Sequence, residues 1–125
     1  MIFKGKKILI ADDTEINRVV GKIMLETWGC DVEVVENGKE AIEIIEKYSE
    51  SIDVIIMDLT IPGAMGGKEA VQEILRINPE AKVIVASGYS NDPVMANHQQ
   101  YGFKASVSKP FRMTELHKVI NSVLL

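Results

Sequence analysis

Cysteine, histidine and long apolar runs are what this sequence has least of. Its one cysteine, Cys30, cannot close an internal disulfide, and a reducing cytoplasm is the expected setting. No Cys or His cluster surrounds Cys30, so it reads as a small core residue rather than a reactive thiol. No apolar run approaches the ~18 residues of a membrane span. The stretch Ile8–Ala11 behind the opening lysines is too short for the core of a secretory leader. A surplus of positive charge is lacking as well, with 14 Lys and Arg against 18 Asp and Glu. The net charge of −4 argues against nucleic acid as a direct partner, because phosphate contacts need a basic surface. Low-complexity tracts, linkers and charge blocks are absent. What is present is 125 residues, 46% of them apolar, with charges of both signs spread throughout. That is the profile of one compact folded domain, expected to span residues 1–125.

The chain alternates between two apolar patterns. Short runs read as strands: Lys7–Asp12, Asp31–Glu36, Val54–Asp58, Val83–Ser87 and Ala105–Ser108. Helical spacing fills the intervals. Glu15–Trp28 carries Ile16, Val19, Val20, Ile23 and Met24, and Gly29 stands where that helix stops. Asn37-Gly38 opens a helix with Ala41, Ile42, Ile45 and Tyr48 on one side, and another bears Ala70, Val71, Ile74 and Leu75 up to Asn78-Pro79. Asn91–Tyr101 reads as a weaker helix with a thin apolar face, ended by Gly102, and Arg112–Leu124 as the last helix. Five strands alternating with five helices imply a doubly wound parallel α/β sheet covered on both faces. The second strand partly alternates, as an edge strand does, which favours the order 2-1-3-4-5. Function in such sheets gathers at the carboxyl ends of the strands.

The polar residues fall there. Strand 1 ends in Asp12 and Asp13, strand 3 in Asp58 and strand 4 in Ser87, while Lys109-Pro110 follows strand 5. Strands 1 and 3 are neighbours in the favoured order, so three carboxylates converge. A hard dication held through oxygen relieves their repulsion, and Mg²⁺ is the usual partner of carboxylate and phosphate ligands. Lys109 adds a protein-borne cation. A carboxylate so placed is a nucleophile towards phosphorus that needs no general base, and its product is an aspartyl phosphate. Singly, each feature has an ordinary explanation: Asp13 or Thr14 as a helix cap, Ser87 as a backbone hydrogen-bonder. Four such features at four strand ends are harder to obtain by accident.

These segments, ILIADD (Ile8–Asp13), VIIMDLTIPG (Val54–Gly63), VIVASGYS (Val83–Ser90) and SKPF (Ser108–Phe111), resemble the receiver domains of bacterial response regulators, and the likeness runs through the whole chain. The resemblance implies a flavodoxin-like fold. It implies Asp58 as phosphoacceptor from a sensor histidine kinase, with Ser87 and Lys109 touching the phosphoryl group. Mg²⁺ would be held by Asp12, Asp13, Asp58 and the backbone carbonyl of Thr60. It also implies a cis peptide between Lys109 and Pro110, and output to a downstream protein through the face of helix 4, strand 5 and helix 5. Thr60 and Tyr89 fall where receivers tune phosphate lifetime, with Tyr89 bulky enough to shield the aspartyl phosphate. The stretch Ser87–Met95 is similar to receivers attached to hybrid sensor histidine kinases, so the chain reads as a stand-alone receiver or one domain of a longer kinase.

Two departures stand out. Ser106 occupies the position where many receivers carry an aromatic switch. The loop Pro62–Gly67 is one residue longer than usual, lacks the family's Asp and holds three glycines, which implies mobility. His98 and His117 read as surface or partly buried structural residues, His117 on a solvated edge beside Glu115 and Lys118, and Trp28 as packing. The runner-up function is a haloacid-dehalogenase-type phosphatase, but that chemistry wants Asp-x-Asp where this chain has Asp12-Asp13-Thr14. A flavin site is disfavoured by the acids after strand 1, and a degenerate receiver by the full complement of Asp, Ser and Lys positions.

Overall fold

A computed structural model describes residues 3–60, 66–89 and 91–124. Its elements are β1 (Lys7–Ala11), α1 (Glu15–Thr27), β2 (Asp31–Val35), α2 (Gly38–Tyr48), β3 (Val54–Asp58), α3 (Gly67–Ile77), β4 (Val83–Ser87), α4 (Pro93–Ala96), β5 (Ala105–Ser108) and α5 (Met113–Leu124). The strands form one parallel sheet in the order β2-β1-β3-β4-β5, as expected. No helix among the described residues is long and apolar enough to cross a membrane.

Strand periodicity divides the core into two. Every residue of β3 and β4 is buried. Alternate side chains point to opposite faces, so Ile55, Met57, Val83 and Val85 pack against Ala41 and Ile45 of α2 and Ala70, Val71 and Ile74 of α3. Val54, Ile56 and Ile84 pack on the other face against Leu25 of α1 and Leu116 and Ile120 of α5. Central strands buried on both faces must be apolar at every position, which is why they read as unbroken runs. The parallel arrangement then brings all five strand ends to one edge.

Three expectations change. The apolar stripe of α1 does not all face the sheet: Ile16, Val19 and Ile23 are 63%, 44% and 59% exposed. The buried residues of α1 are Gly21 and Leu25. Gly21 lets α1 approach closely, since a Cβ there would meet Ile10 Cδ1 at 3.0 Å and Phe111 Cε2 at 3.2 Å. The helix expected over Asn91–Tyr101 is a single α-turn, Pro93–Ala96, followed by a 3-10 segment, His98–Tyr101. Pro93 starts it at the first helical position and Asp92 caps it by accepting from the Val94 N–H. Only Val94 and Met95 are buried, too small an apolar face to carry the helix past Asn97. Finally, His117 is not a solvated edge residue. Its ring lies 5.2 Å from Phe3 and 5.5 Å from Trp28, centroid to centroid, in an aromatic cluster beside α5. Trp28 packs as expected. Cys30 is buried, and desolvation followed by the charge of Asp53 pushes its thiol up to about 11, so it stays protonated.

Gly67 links the fold to the strand-end edge. A Cβ on it would lie 2.6 Å from the Asp58 carbonyl oxygen and 2.9 Å from Leu59 Cα. These are backbone atoms and cannot swing aside, so the start of α3 rests directly on the chain leaving β3. Of the glycine-rich loop before it, Pro62 to Met65 lie outside the described residues. Gly67→Ala is expected to cost ~1–3 kcal/mol through overpacking, more than the helix-propensity gain of at most ~1 kcal/mol. Its thermal midpoint should fall by several degrees. Gly88→Ala, where a Cβ meets nothing within 4 Å, should leave the midpoint unchanged.

Candidate functional site

Asp12 lies one residue past β1. Its carboxylate is 2% exposed and its Oδ1 accepts from the Thr14 N–H at 2.9 Å. This bond is an Asx-type turn leading into α1, where the Thr14 side chain makes no capping hydrogen bond and Asp13 is exposed. Asp58, at the end of β3, is also 2% exposed. Register pairing of Ile8–Ala11 with Val54–Met57 places the ends of β1 and β3 side by side. Carboxylate oxygens of Asp12, Asp13 and Asp58 lie within 4.8 Å of one another.

Lys109 enters from the far side. Its Nζ is 3.0 Å from Asp58 Oδ1 and 3.2 Å from Asp12 Oδ2, and the side chain is only 13% exposed. Its backbone N–H donates to the Ser87 carbonyl at 2.9 Å, and the peptide joining it to Pro110 is cis, as anticipated. Asp58 Oδ1 also accepts from the Thr60 N–H at 3.2 Å and the Thr60 hydroxyl at 3.3 Å. Among the described residues Asp58 Oδ2 has no donor. Ser87 is buried at the end of β4, one position beyond the Ala86 that pairs with Asp58, and its Oγ accepts from the Tyr89 N–H at 3.0 Å. Tyr89 itself is 68% exposed.

The electrostatics follow from burial. Desolvation raises the Asp58 pKa above its ordinary value; Lys109 pulls it back and Asp12 adds to the rise. Desolvation would lower the Lys109 pKa, but its bonds to Asp58 and Asp12 overcome this and hold it raised, so the ammonium stays charged. Three carboxylates thus share one ammonium. Two of them are buried and the third, Asp13, faces solvent at the rim. An all-oxygen set with excess negative charge and one open side suits a hard dication that keeps part of its water, which is the habit of Mg²⁺. The site is therefore an acidic pocket that can hold a cation beside a buried carboxylate. Sequence reasoning missed Arg18, whose Nη1 donates to the Asp12 carbonyl at 2.8 Å. No spacing rule marks a bond from a side chain to a backbone carbonyl.

The chain is similar in sequence and fold to known proteins. The sequence profile of the response regulator receiver domain matches residues 8–121. The chemotaxis protein CheY of Thermotoga maritima is 35% identical over 121 residues, 95% of this chain and 98% of that protein. The sensor kinase CckA of Brucella abortus is 28% identical, with 94% of this chain matching 12% of the kinase. Among solved structures, the receiver domain of a Pseudomonas aeruginosa sensor histidine kinase, with a magnesium ion coordinated in its active site cleft, superposes with a TM-score of 0.86 at 26% identity, covering 96% of this chain and 98% of that one. Fold, sequence and the acidic strand ends agree: this chain belongs to the response regulator receiver family, the signalling domains of two-component systems.

Proposed function

We propose that Asp58 is a phosphoacceptor, taking a phosphoryl group from the phosphohistidine of a sensor histidine kinase in a Mg²⁺-dependent reaction. The observation that carries this is the buried Lys109 ammonium held between Asp58 and Asp12, with Asp13 open at the rim. That arrangement positions a carboxylate and supplies positive charge where a phosphoryl group would arrive. Asp58 Oδ2, free of donors among the described residues, is the oxygen we assign as nucleophile. The new P–O bond forms as the P–N bond to the imidazole breaks, and the bonding pair leaves with the ring. Lys109 Nζ and the Ser87 hydroxyl then meet the oxygens of the transferred group. Asp12, Asp13, Asp58 and the Thr60 carbonyl would hold Mg²⁺, which when bound neutralises charge on those oxygens.

The partner that brings the phosphoryl group must reach this pocket from the solvent side. α1 begins two residues after Asp13 and exposes Ile16, Val19 and Ile23 at helical spacing. Exposed apolar side chains in a row favour a protein partner over a small molecule. We assign this stripe to the kinase and retain the α4–β5–α5 face for a downstream protein. The domain is taken as residues 1–125 in the cytoplasm, whether free-standing or within a longer kinase. A phosphatase of the haloacid-dehalogenase type gains no support. Two residues after Asp58 stands Thr60, whose hydroxyl donates to Asp58 itself, so no acid/base carboxyl occupies that place.

Intact mass after treatment with Mg²⁺ and a small phosphodonor should show one phosphoryl adduct on the wild type. Asp58→Asn, or the wild type with chelator, should show none; an adduct on Asp58→Asn removes Asp58 from the role. The raised pKa of Asp58 sets a pH dependence. The folded state holds that proton to higher pH than the unfolded chain, so stability falls as pH rises above the ordinary Asp range near ~4. The cost is fully present once pH exceeds the folded value. In metal-free buffer Asp58→Asn should therefore melt above the wild type at neutral pH, with the gap closing towards pH ~4. Added Mg²⁺ should raise only the wild-type midpoint substantially, since binding to the folded state stabilises it. Finally, Ile16→Ser with Ile23→Ser should slow transfer from a phosphorylated kinase about tenfold, equivalent to ~1.4 kcal/mol of docking energy. Uptake from a small phosphodonor should be unchanged; equal slowing with both donors would dismiss the stripe.

A further inference from the structure

The Asp12 carbonyl oxygen belongs to the peptide linking Asp12 to Asp13, just past the end of β1. The Asp12 N–H still bonds the sheet side, donating to the Val35 carbonyl at 3.1 Å. The carbonyl has no such partner. The one hydrogen bond it accepts among the described residues comes from Arg18 Nη1, at 2.8 Å. The other arm of the guanidinium, Nη2, lies 3.3 Å from Glu36 Oε1, in the turn between β2 and α2. The Glu36 backbone is held, its N–H donating to Glu40 Oε1 at 2.8 Å, while its side chain is 65% exposed. Arg18 is 14% exposed, so its fork is held in one place rather than sampling solvent.

We propose that Arg18 is a positioning residue for the acidic pocket, fixing the Asp12–Asp13 peptide plane and with it the direction in which Asp13 presents its carboxylate. The two acids differ in what aims them. The Asp12 carboxylate is held by the Thr14 N–H and by Lys109. The Asp13 carboxylate accepts no hydrogen bond among the described residues, so only its backbone places it. Rotation of the peptide would carry Asp13 away from Asp12 and Asp58, and a dication would lose the ligand on its open side. Glu36 has a second consequence: it offsets the Arg18 charge, which would otherwise oppose a cation nearby. The effect of Arg18 on metal binding is therefore geometric, and the sign of its loss separates the two possibilities.

The inference rests on the Mg²⁺ reading above. Its test is titration calorimetry of Mg²⁺ into wild type, Arg18→Ala, Arg18→Lys and Glu36→Gln, together with metal-free melting of each. Loss of groups that orient metal ligands typically costs ~10–100-fold in affinity, and Arg18→Ala is expected to weaken Mg²⁺ binding about tenfold or more. Arg18→Lys should recover part of it, because an ammonium can reach the carbonyl but cannot fork to Glu36 as well. Glu36→Gln should lose a few-fold. The metal-free midpoints of the Lys and Gln variants should stay near the wild type, which separates positioning from a general loss of fold. Should Arg18→Ala not fold, the Lys and Gln variants carry the test. Variants that bind Mg²⁺ as tightly as the wild type, or more tightly, overturn the role of Arg18 alone. A wild type that binds no Mg²⁺ overturns the metal reading and this inference together.

Discussion

The structure turns on one buried ammonium between two buried carboxylates. Removing charges from water is costly, and a pair recovers that cost only with good geometry and saturating hydrogen bonds. Lys109 meets the first condition at 3.0 and 3.2 Å, but a single cation cannot balance three acids. The excess is tolerable because Asp13 faces solvent. The resting pocket is thus short of positive charge by construction. On the proposed function, a dication would bring the positive charge the acids lack, and phosphoryl oxygens would give it and Lys109 further ligands.

The sheet makes such a concentration of charge possible. Asp58 and Lys109 are 51 residues apart in the sequence, yet parallel pairing of β3 with β4 and of β4 with β5 carries both to the same edge. Antiparallel strands would have sent every second end to the opposite side. The pocket's walls are backbone as much as side chain. Gly67 presses the start of α3 on the Asp58 carbonyl, and the Lys109 N–H is bonded to the Ser87 carbonyl. Side chains on loops acquire fixed positions only when their backbone is held in this way.

The central strands and the candidate pocket residues at their ends were legible in the sequence for a shared reason. Strands buried on both faces carry unbroken apolar runs, so Val54–Asp58 and Val83–Ser87 announce their own limits, and the first polar residue after each run lies at the pocket. The helices were less legible. Period 3.6 identifies an apolar face but not its neighbour, and α1 has two such faces: Leu25 on the core side, Ile16, Val19 and Ile23 on the other. The end of α4 after one turn depended on how little apolar surface Val94 and Met95 bury, which a composition of plausible helix formers conceals. Arg18 was invisible because its partner is a carbonyl, and every residue has one.

The same distinction bears on how change at Asp58 could spread. Ser106 is too small to fill or vacate a volume, so β5 offers no aromatic lever at that position, and a one-turn α4 offers little helix to move. Tyr101, five residues before Ser106, is tied to α3: Gln72 Nε2 donates to its carbonyl at 2.8 Å, and Lys68 Nζ lies 5.2 Å from the centre of its ring. Because α3 begins in contact with the Asp58 backbone through Gly67, one rigid helix touches the pocket at its first residue and holds the segment after α4 along its length. Contact alone does not establish coupling, which requires two states that both ends bias. It does show which element has the mechanical continuity to serve. In this chain that element is α3, while Ser106 leaves β5 without an aromatic side chain at that position.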